Sequence, residues 1–222
     1  MAVTTVTASL AGTVFQQASP ADSAAWLTDV RNASSGVEAT PFSSGPSSIQ
    51  FAVVAQYSSA RGSTDGVIVR TFLWFEGIDT AIGGGTITGA ILKISGSVSP
   101  FPEFVVSDTN QDTIIVESSA YGGDGNSALN ANDYSELSFT ADPYSSALTS
   151  WTNTDYNSYT LTSKAIATMN STGVLNCAII GENYDFQGVT PALGYNTGSA
   201  ATVTSAIPVN LVLTYSAAAT AT

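Results

Sequence analysis

The chain has no histidine. That removes the imidazole base, the Ser-His-Asp triad and every histidine metal site. It has one cysteine, Cys177, which excludes an intrachain disulfide and a cysteine-rich zinc site. Cys177 lies in the apolar run GVLNCAII and reads as a small buried hydrophobe rather than a reactive thiol. Charge is scarce too: charged residues make up 10% of 222, against about a quarter in an ordinary globular chain. Only Arg31, Arg61, Arg70, Lys93 and Lys164 are basic, and the net charge is −12. Such a surface repels phosphate backbones and anionic lipid, so neither nucleic acid nor a membrane is expected as a partner. No apolar run reaches the length of a membrane span. The opening MAVTTVTASLAGTVF lacks the basic and apolar regions of a signal peptide, so use without Sec export is expected. The triplet Gly83 to Gly85 lacks the Lys and helix of a phosphate-binding loop.

What the chain has in quantity is β-forming sequence. It is 44% hydrophobic, enough for a sizeable core, and Ser, Thr, Asn and Gly supply its polar surface. Residues 49–59, GVIVRTFLWFEG, TITGAILKISGS, EFVVSD, DTIIVESSAY, SELSFTA, NSYTLT, VLNCAIIGENY and AIPVNLVLTYSA read as strands punctuated by Gly, Asn, Asp and Pro. Many short strands without βαβ alternation predict an all-β, antiparallel two-sheet sandwich of jelly-roll type. One domain over residues 1–222 is expected, with 34–48 as a long loop and 216–222 as a polar tail. One short helix is expected from Ser163 to Asn170, with Ser163 as cap, Ile166 and Met169 on one face and Gly173 closing it. In SPADSAAWLTDVRNA, Ser19-Pro20 suits a helix start with Trp26, Leu27 and Val30 as its apolar face. Irregular extended chain fits that stretch as well.

The strongest β-signal, VRTFLWF, is apolar on both faces. Phe72 and Trp74 share one face, Leu73 and Phe75 the other. One face is expected in the core, the other under a loop or a neighbouring subunit, which makes Trp74 and Phe75 contact candidates. The Ile/Gly/Thr loop that follows reads as a β-connection whose glycines allow angles other residues resist.

Chemistry-bearing residues are few. Asp108, Asn110 and Asp112 at alternate positions could present oxygens to calcium, although Thr113 replaces the Gly of an EF-hand loop and its closing Glu is missing. Asp124, Asn126 and Asp133 form a second such loop. Asx residues also favour turns without any metal, so no cofactor is expected, with calcium as the one candidate. No acid pair for glycoside hydrolysis can be selected. Lys93 reads as an outward, solvated lysine rather than a partner in an isopeptide bond. Tyr121, Tyr134, Tyr144, Trp151, Tyr156 and Tyr159 cluster in sequence. Stacking on a sugar ring is one reading for Trp151, Tyr156 and Tyr159, and core packing is the other.

Arg70, Phe72, Leu73, Phe75, Ile78, Ile82, Thr86, Ile87, Ala90, Leu92 and Ile94 follow a pattern that resembles the DNRLRE-type β-sandwich family. Pro208, Leu211, Val212 and Tyr215 look like that family's closing strand. Trp26, Arg31, Ala33 and Gly36, with Asp155, Tyr156, Asn157, Tyr159, Leu161, Ile166, Asn170 and Gly173, are similar in order to uncharacterised phage virion structural proteins. These motifs specify a fold and no catalysis. The resemblance implies a non-enzymatic bacteriophage structural protein on the virion surface, made in the host cytoplasm. A capsid decoration protein that docks on virion proteins and self-associates is expected. The alternative is a tail or fibre adhesin or a carbohydrate-binding module with a glycan ligand.

Overall fold

The computed structural model describes residues 1–42, 55–58, 65–95, 112–121, 128–150, 152, 154–190 and 209–218. Ten strands make two antiparallel sheets: β1 (Ala2–Thr7), β2 (Leu10–Ala18), β3 (Glu38–Phe42), β4 (Ala55–Ser58), β5 (Asp65–Phe75), β6 (Thr86–Ser95), β7 (Thr113–Glu117), β8 (Tyr156–Thr160), β9 (Leu175–Gly181) and β10 (Asn210–Ser216). One sheet has the order β1-β10-β6-β8. The other runs β3-β2-β5-β9-β7, with β4 also paired to β5. From β5 onward each successive strand lies in the opposite sheet. This is the two-sheet sandwich expected from the strand spacing.

Alternation along β5 builds two cores. Leu73 and Phe75 point between the sheets, where they meet Leu92, Ile94, Tyr159, Leu211 and Leu213. Phe72, one position out of phase, faces the other way and packs with Trp26, Tyr121 and Tyr134. The larger sheet is therefore covered on both sides, once by its partner sheet and once by its own loops. The outer cover is tight. A Cβ on Gly66 would lie 2.7 Å from Trp26 Cδ1 and 2.7 Å from Val30 Cγ2, so only glycine lets that turn approach β5 so closely.

Short helical segments pack against the sheets. α1 (Ser23–Trp26) starts later than Ser19-Pro20 suggests, because the Asp22 carboxylate accepts from Ala25 N at 2.8 Å. A π-helical turn, Leu27–Arg31, continues it and buries Val30. α2 (Ile78–Ile82) occupies the stretch expected to be a plain β-connection, and buries Ile78 and Ile82. Gly77 and Gly83 flank it in left-handed backbone, at φ 70° and 59°, as the glycine argument required. α3 (Ser163–Thr172) is the anticipated capped helix, two residues longer, with Thr162 as the cap residue and Gly173 closing it at φ 71°. Asn170 locks α3 to β6: it accepts from Ile87 N at 2.8 Å and donates to Ile87 O at 3.0 Å.

Other expectations need correction. The fold has several short helical segments rather than one. Residues 34–48 are not all loop, since Glu38–Phe42 pairs with β2 as β3. SELSFTA is not a strand: only Leu137 forms a bridge, to Ser118, while Phe139 turns its ring toward Arg31. β1 and β2, unread in the sequence, form full ladders. EFVVSD and the first part of 49–59 lie outside the described residues. Among the described residues no helix is long and apolar enough to cross a membrane.

Candidate functional site

The densest polar cluster lies under the outer cover of the larger sheet. Arg70 sits mid-β5, 1% exposed, on the face it shares with Phe72. A buried guanidinium needs partners for its donors, and the loops supply four hydrogen bonds. Nε donates to Asp185 Oδ2 at 2.9 Å and Nη2 to Asp185 Oδ1 at 2.6 Å. Nη1 donates to Tyr134 O at 2.6 Å, and Nη2 also to Arg31 O at 2.8 Å. The Tyr134 ring lies 3.9 Å from the guanidinium carbon, and its hydroxyl donates to Val30 O at 2.8 Å. Burial works against the Arg70 charge, but Asp185 and Tyr134 outweigh it and hold the guanidinium pKa above its ordinary value. Arg31, half-buried, donates to Asp185 O and Phe186 O, and burial lowers its pKa. Among the described residues, apart from Arg31 Nη1 donating to Asn32 Oδ1 at 2.6 Å, the hydrogen bonds of both guanidiniums end on backbone or on Asp185. The cluster is a clamp that ties β5 to three turns, at Leu27–Arg31, Ala131–Ser135 and Glu182–Phe186.

The outer face of the four-stranded sheet is a contrast. The registers place Thr5, Val212, Ile91 and Thr160 in one row across the strands and Thr7, Asn210, Lys93 and Ser158 in the next. Thr5, Thr7, Ser158 and Thr160 are exposed, and Val3 is 66% exposed. None of the seventeen carboxylates lies in β1, β6, β8 or β10, and Lys93 is the only charged residue there. In a chain of net charge −12 this face carries no carboxylate, a single lysine and many hydroxyls. Tyr156, half-buried at its edge, accepts from Asn210 Nδ2 at 3.2 Å, with the Lys93 ammonium 5.9 Å from its ring centre. Lys93 thus points outward as the alternation predicts.

A third feature is a shallow polar groove of about 330 Å³ between the end of β7 and residues 135–138, lined by Glu117, Glu136, Leu137 and serines. Ser119 donates to Glu136 within it, and Glu117 pairs with Lys164 at 2.8 Å on its rim.

The residues singled out from sequence are scattered over these regions. Phe75 is fully buried between the sheets, so it is no contact residue. Trp74 is partly buried against the outer core, edge-on to Tyr121. The cover over this face comes from the chain itself. Tyr159 is 2% exposed, and its hydroxyl pairs with Thr113 Oγ1 at 2.6 Å. Burial raises its pKa, and it is closed to a sugar. Of the tyrosine candidates, Tyr156 alone is not buried among the described residues. Trp151 lies outside them, as do Asp108, Asn110, Asp124 and Asn126. Asp112 is described, and burial, with Glu182 nearby, raises its pKa. Asp133 is buried in a capping box with Asn130. Among the described residues no three His, Cys, Asp or Glu side chains converge on a metal position. Cys177 is buried, and burial pushes its thiol up to about 12.

Sequence reading missed the Arg70 clamp. The one signal available was a lone arginine inside an otherwise apolar strand, which must either be an edge position or be paired. No family model matches the chain, and no curated protein matches it in sequence.

Proposed function

We propose that the chain is a non-enzymatic structural protein of a bacteriophage virion, a capsid decoration protein displayed on the particle surface. The observation that supports this reading is the carboxylate-free, hydroxyl-rich outer face of the four-stranded sheet. A protein held on a particle needs a broad face that loses little on desolvation. Threonine, valine and serine rows meet that need, whereas ion pairs on exposed ground contribute little. The polar groups with defined surroundings point the same way. Arg70, Asp185, Asp133 and Tyr159 are spent on holding this protein's own backbone and core, not poised toward solvent.

Cosedimentation of the purified chain with undecorated capsids tests the proposal. Binding is expected, and it is expected to survive high salt, because apolar burial is insensitive to the screening that weakens exposed charge contacts. A chain that never binds particles overturns the decoration role. Binding lost at moderate salt overturns the mechanism and leaves the role standing. Turnover of a glycan or peptide panel, abolished by one Asp or Glu substitution, overturns the non-enzymatic reading.

One observation favours a second reading, a tail adhesin or carbohydrate-binding module. Tyr156 sits at the surface beside Asn210, Lys93 and Ser158, an aromatic ring with hydrogen-bonding neighbours of the kind that holds a sugar. Glycan binding lost in Tyr156→Ala by a chain that ignores capsids would favour it.

A further inference from the structure

We propose that β1 pairs antiparallel with β1 of a second copy of this chain, about a two-fold axis perpendicular to the sheet, so that two four-stranded sheets become one continuous sheet. The end strands of the two sheets are treated differently. An unpaired strand edge invites another chain, and proteins blunt it with charge, proline, bulges or a covering segment. β3 carries Glu38 and Pro41. β7 is covered along its outer edge: Thr113 and Leu148 exchange both backbone bonds, Ile115 O accepts from Tyr144 N and Ser145 N, and Glu117 O accepts from Ser138 N. β8 has five residues, and its Asn157 folds onto Thr152, accepting from its N and donating to its O. Among the described residues β1 has no charge, proline or bulge and no strand on its far side, although α2 packs against it. Its six residues, Ala-Val-Thr-Thr-Val-Thr, include no charge and no proline, and its ladder to β10 runs without a bulge from Ala2 to Thr7. Among the described residues no backbone bond reaches it from the far side.

Charge selects the occupant. Two copies at −12 each repel one another over most approaches. Approach along β1 brings together the one sheet that holds none of the seventeen carboxylates, with Lys93 two strands away. The composition of β1 suits self-pairing as well, since β-branched residues opposite one another stabilise a ladder. The axis also fixes the register. Val3, Thr5 and Thr7 face out, whereas Ala2, Thr4 and Val6 face in and are half-buried. Residues opposite each other must share a face, so the pairing centres on Thr4 or Thr5. Centred on Thr5, it sets the exposed Val3 of one copy against Thr7 of the other. This inference deepens the self-association in the proposed function. A strictly monomeric chain that still decorates capsids would sink the pairing and leave the function intact.

The test is sedimentation of the full chain across concentration, beside Thr5→Lys and, on the opposite edge of the sheet, Thr160→Lys. A dimer is expected. Thr5→Lys brings two like charges together at the axis and weakens association at least about tenfold, while Thr160→Lys leaves it unchanged. Thr4→Cys and Thr5→Cys, oxidised separately, supply a readout that survives if the lysine variant folds poorly. One of the two is expected to form a covalent dimer, because directly opposed strand residues come within disulfide reach. A chain monomeric at every concentration overturns the proposal. So does a dimer that ignores Thr5→Lys and is trapped by neither cysteine.

Discussion

The two sheets are finished in opposite ways. The larger one hides both faces. Its inner side packs on the partner sheet, and its outer side lies under turns that Arg70 and Asp185 pin from beneath. The smaller one hides only its inner side and leaves outward rows of threonine, serine and valine with one lysine. Among the described residues, one sheet is covered on both faces, and the other presents an outer face without carboxylates and with Lys93 as its one charge. In the reading proposed above, the first holds the fold together and the second meets a partner.

That division can be broken or sharpened by substitution. The largest effect is expected at the clamp. Arg70→Ala leaves Asp185 buried without its cation, and urea unfolding should show a loss of about 3–5 kcal/mol. The paired change Arg70→Met with Asp185→Leu should recover much of it, since two apolar side chains leave no uncompensated charge. If Arg70→Ala costs no more than a surface change, the outer cover is not pinned as described. Next comes the alternation of β5. Phe75→Ala should cost about 3–5 kcal/mol as a fully buried aromatic, and Trp74→Ala clearly less, about 1–2 kcal/mol, because part of its ring stays wet. Equal losses would erase the inner and outer distinction.

Alkali probes the enclosed interior more gently. Burial pushes the Cys177 thiol from 9.0 to about 12 and the Tyr144 phenol from 10.0 to about 12. A folded pKa raised above the unfolded one means the unfolded chain releases its proton first. The stability is therefore whole below pH 9 and falls as pH rises toward 12. Melting temperatures taken across that window should decline. The smallest effect belongs to the bare face: Thr160→Lys should shift stability by no more than about 0.5 kcal/mol in urea. A large loss there would mean that face is not solvent-facing ground.

Parts of this architecture were readable in advance. α3 announced itself through Ile166, Met169 and the closing Gly173, all within one short window, and β5, β6, β9 and β10 through runs of β-branched and aromatic residues. β1 was not readable, because threonine is at home on either face and Val3 faces out while Val6 faces in, so no alternation marks the strand. β3 was masked by Pro41, which a sequence reader takes for a break. SELSFTA misled in the opposite direction: Leu137 and Phe139 alternate like a strand, yet Phe139 serves as a lid over Arg31 and Arg70. The clamp itself is non-local. Asp185 stands 115 positions from Arg70, and nothing in a local window relates them. The carboxylate-free face is spread over four strands far apart in sequence, so it becomes visible only once the registers are known.

The ladder between β1 and β10 joins Ala2 to Tyr215 and Thr7 to Asn210. On the ribosome this means a long wait. β1 emerges early, and its only ladder partner among the described residues is made about 10 to 40 seconds later at ordinary elongation rates. Through that interval the nascent chain carries an uncharged, β-branched strand with both edges free. β2, made next, is satisfied sooner, once β5 follows. The larger sheet can assemble while synthesis proceeds, and the smaller one closes only at the end. Crowded polysomes would therefore be the place where neighbouring nascent chains risk joining prematurely through that first strand.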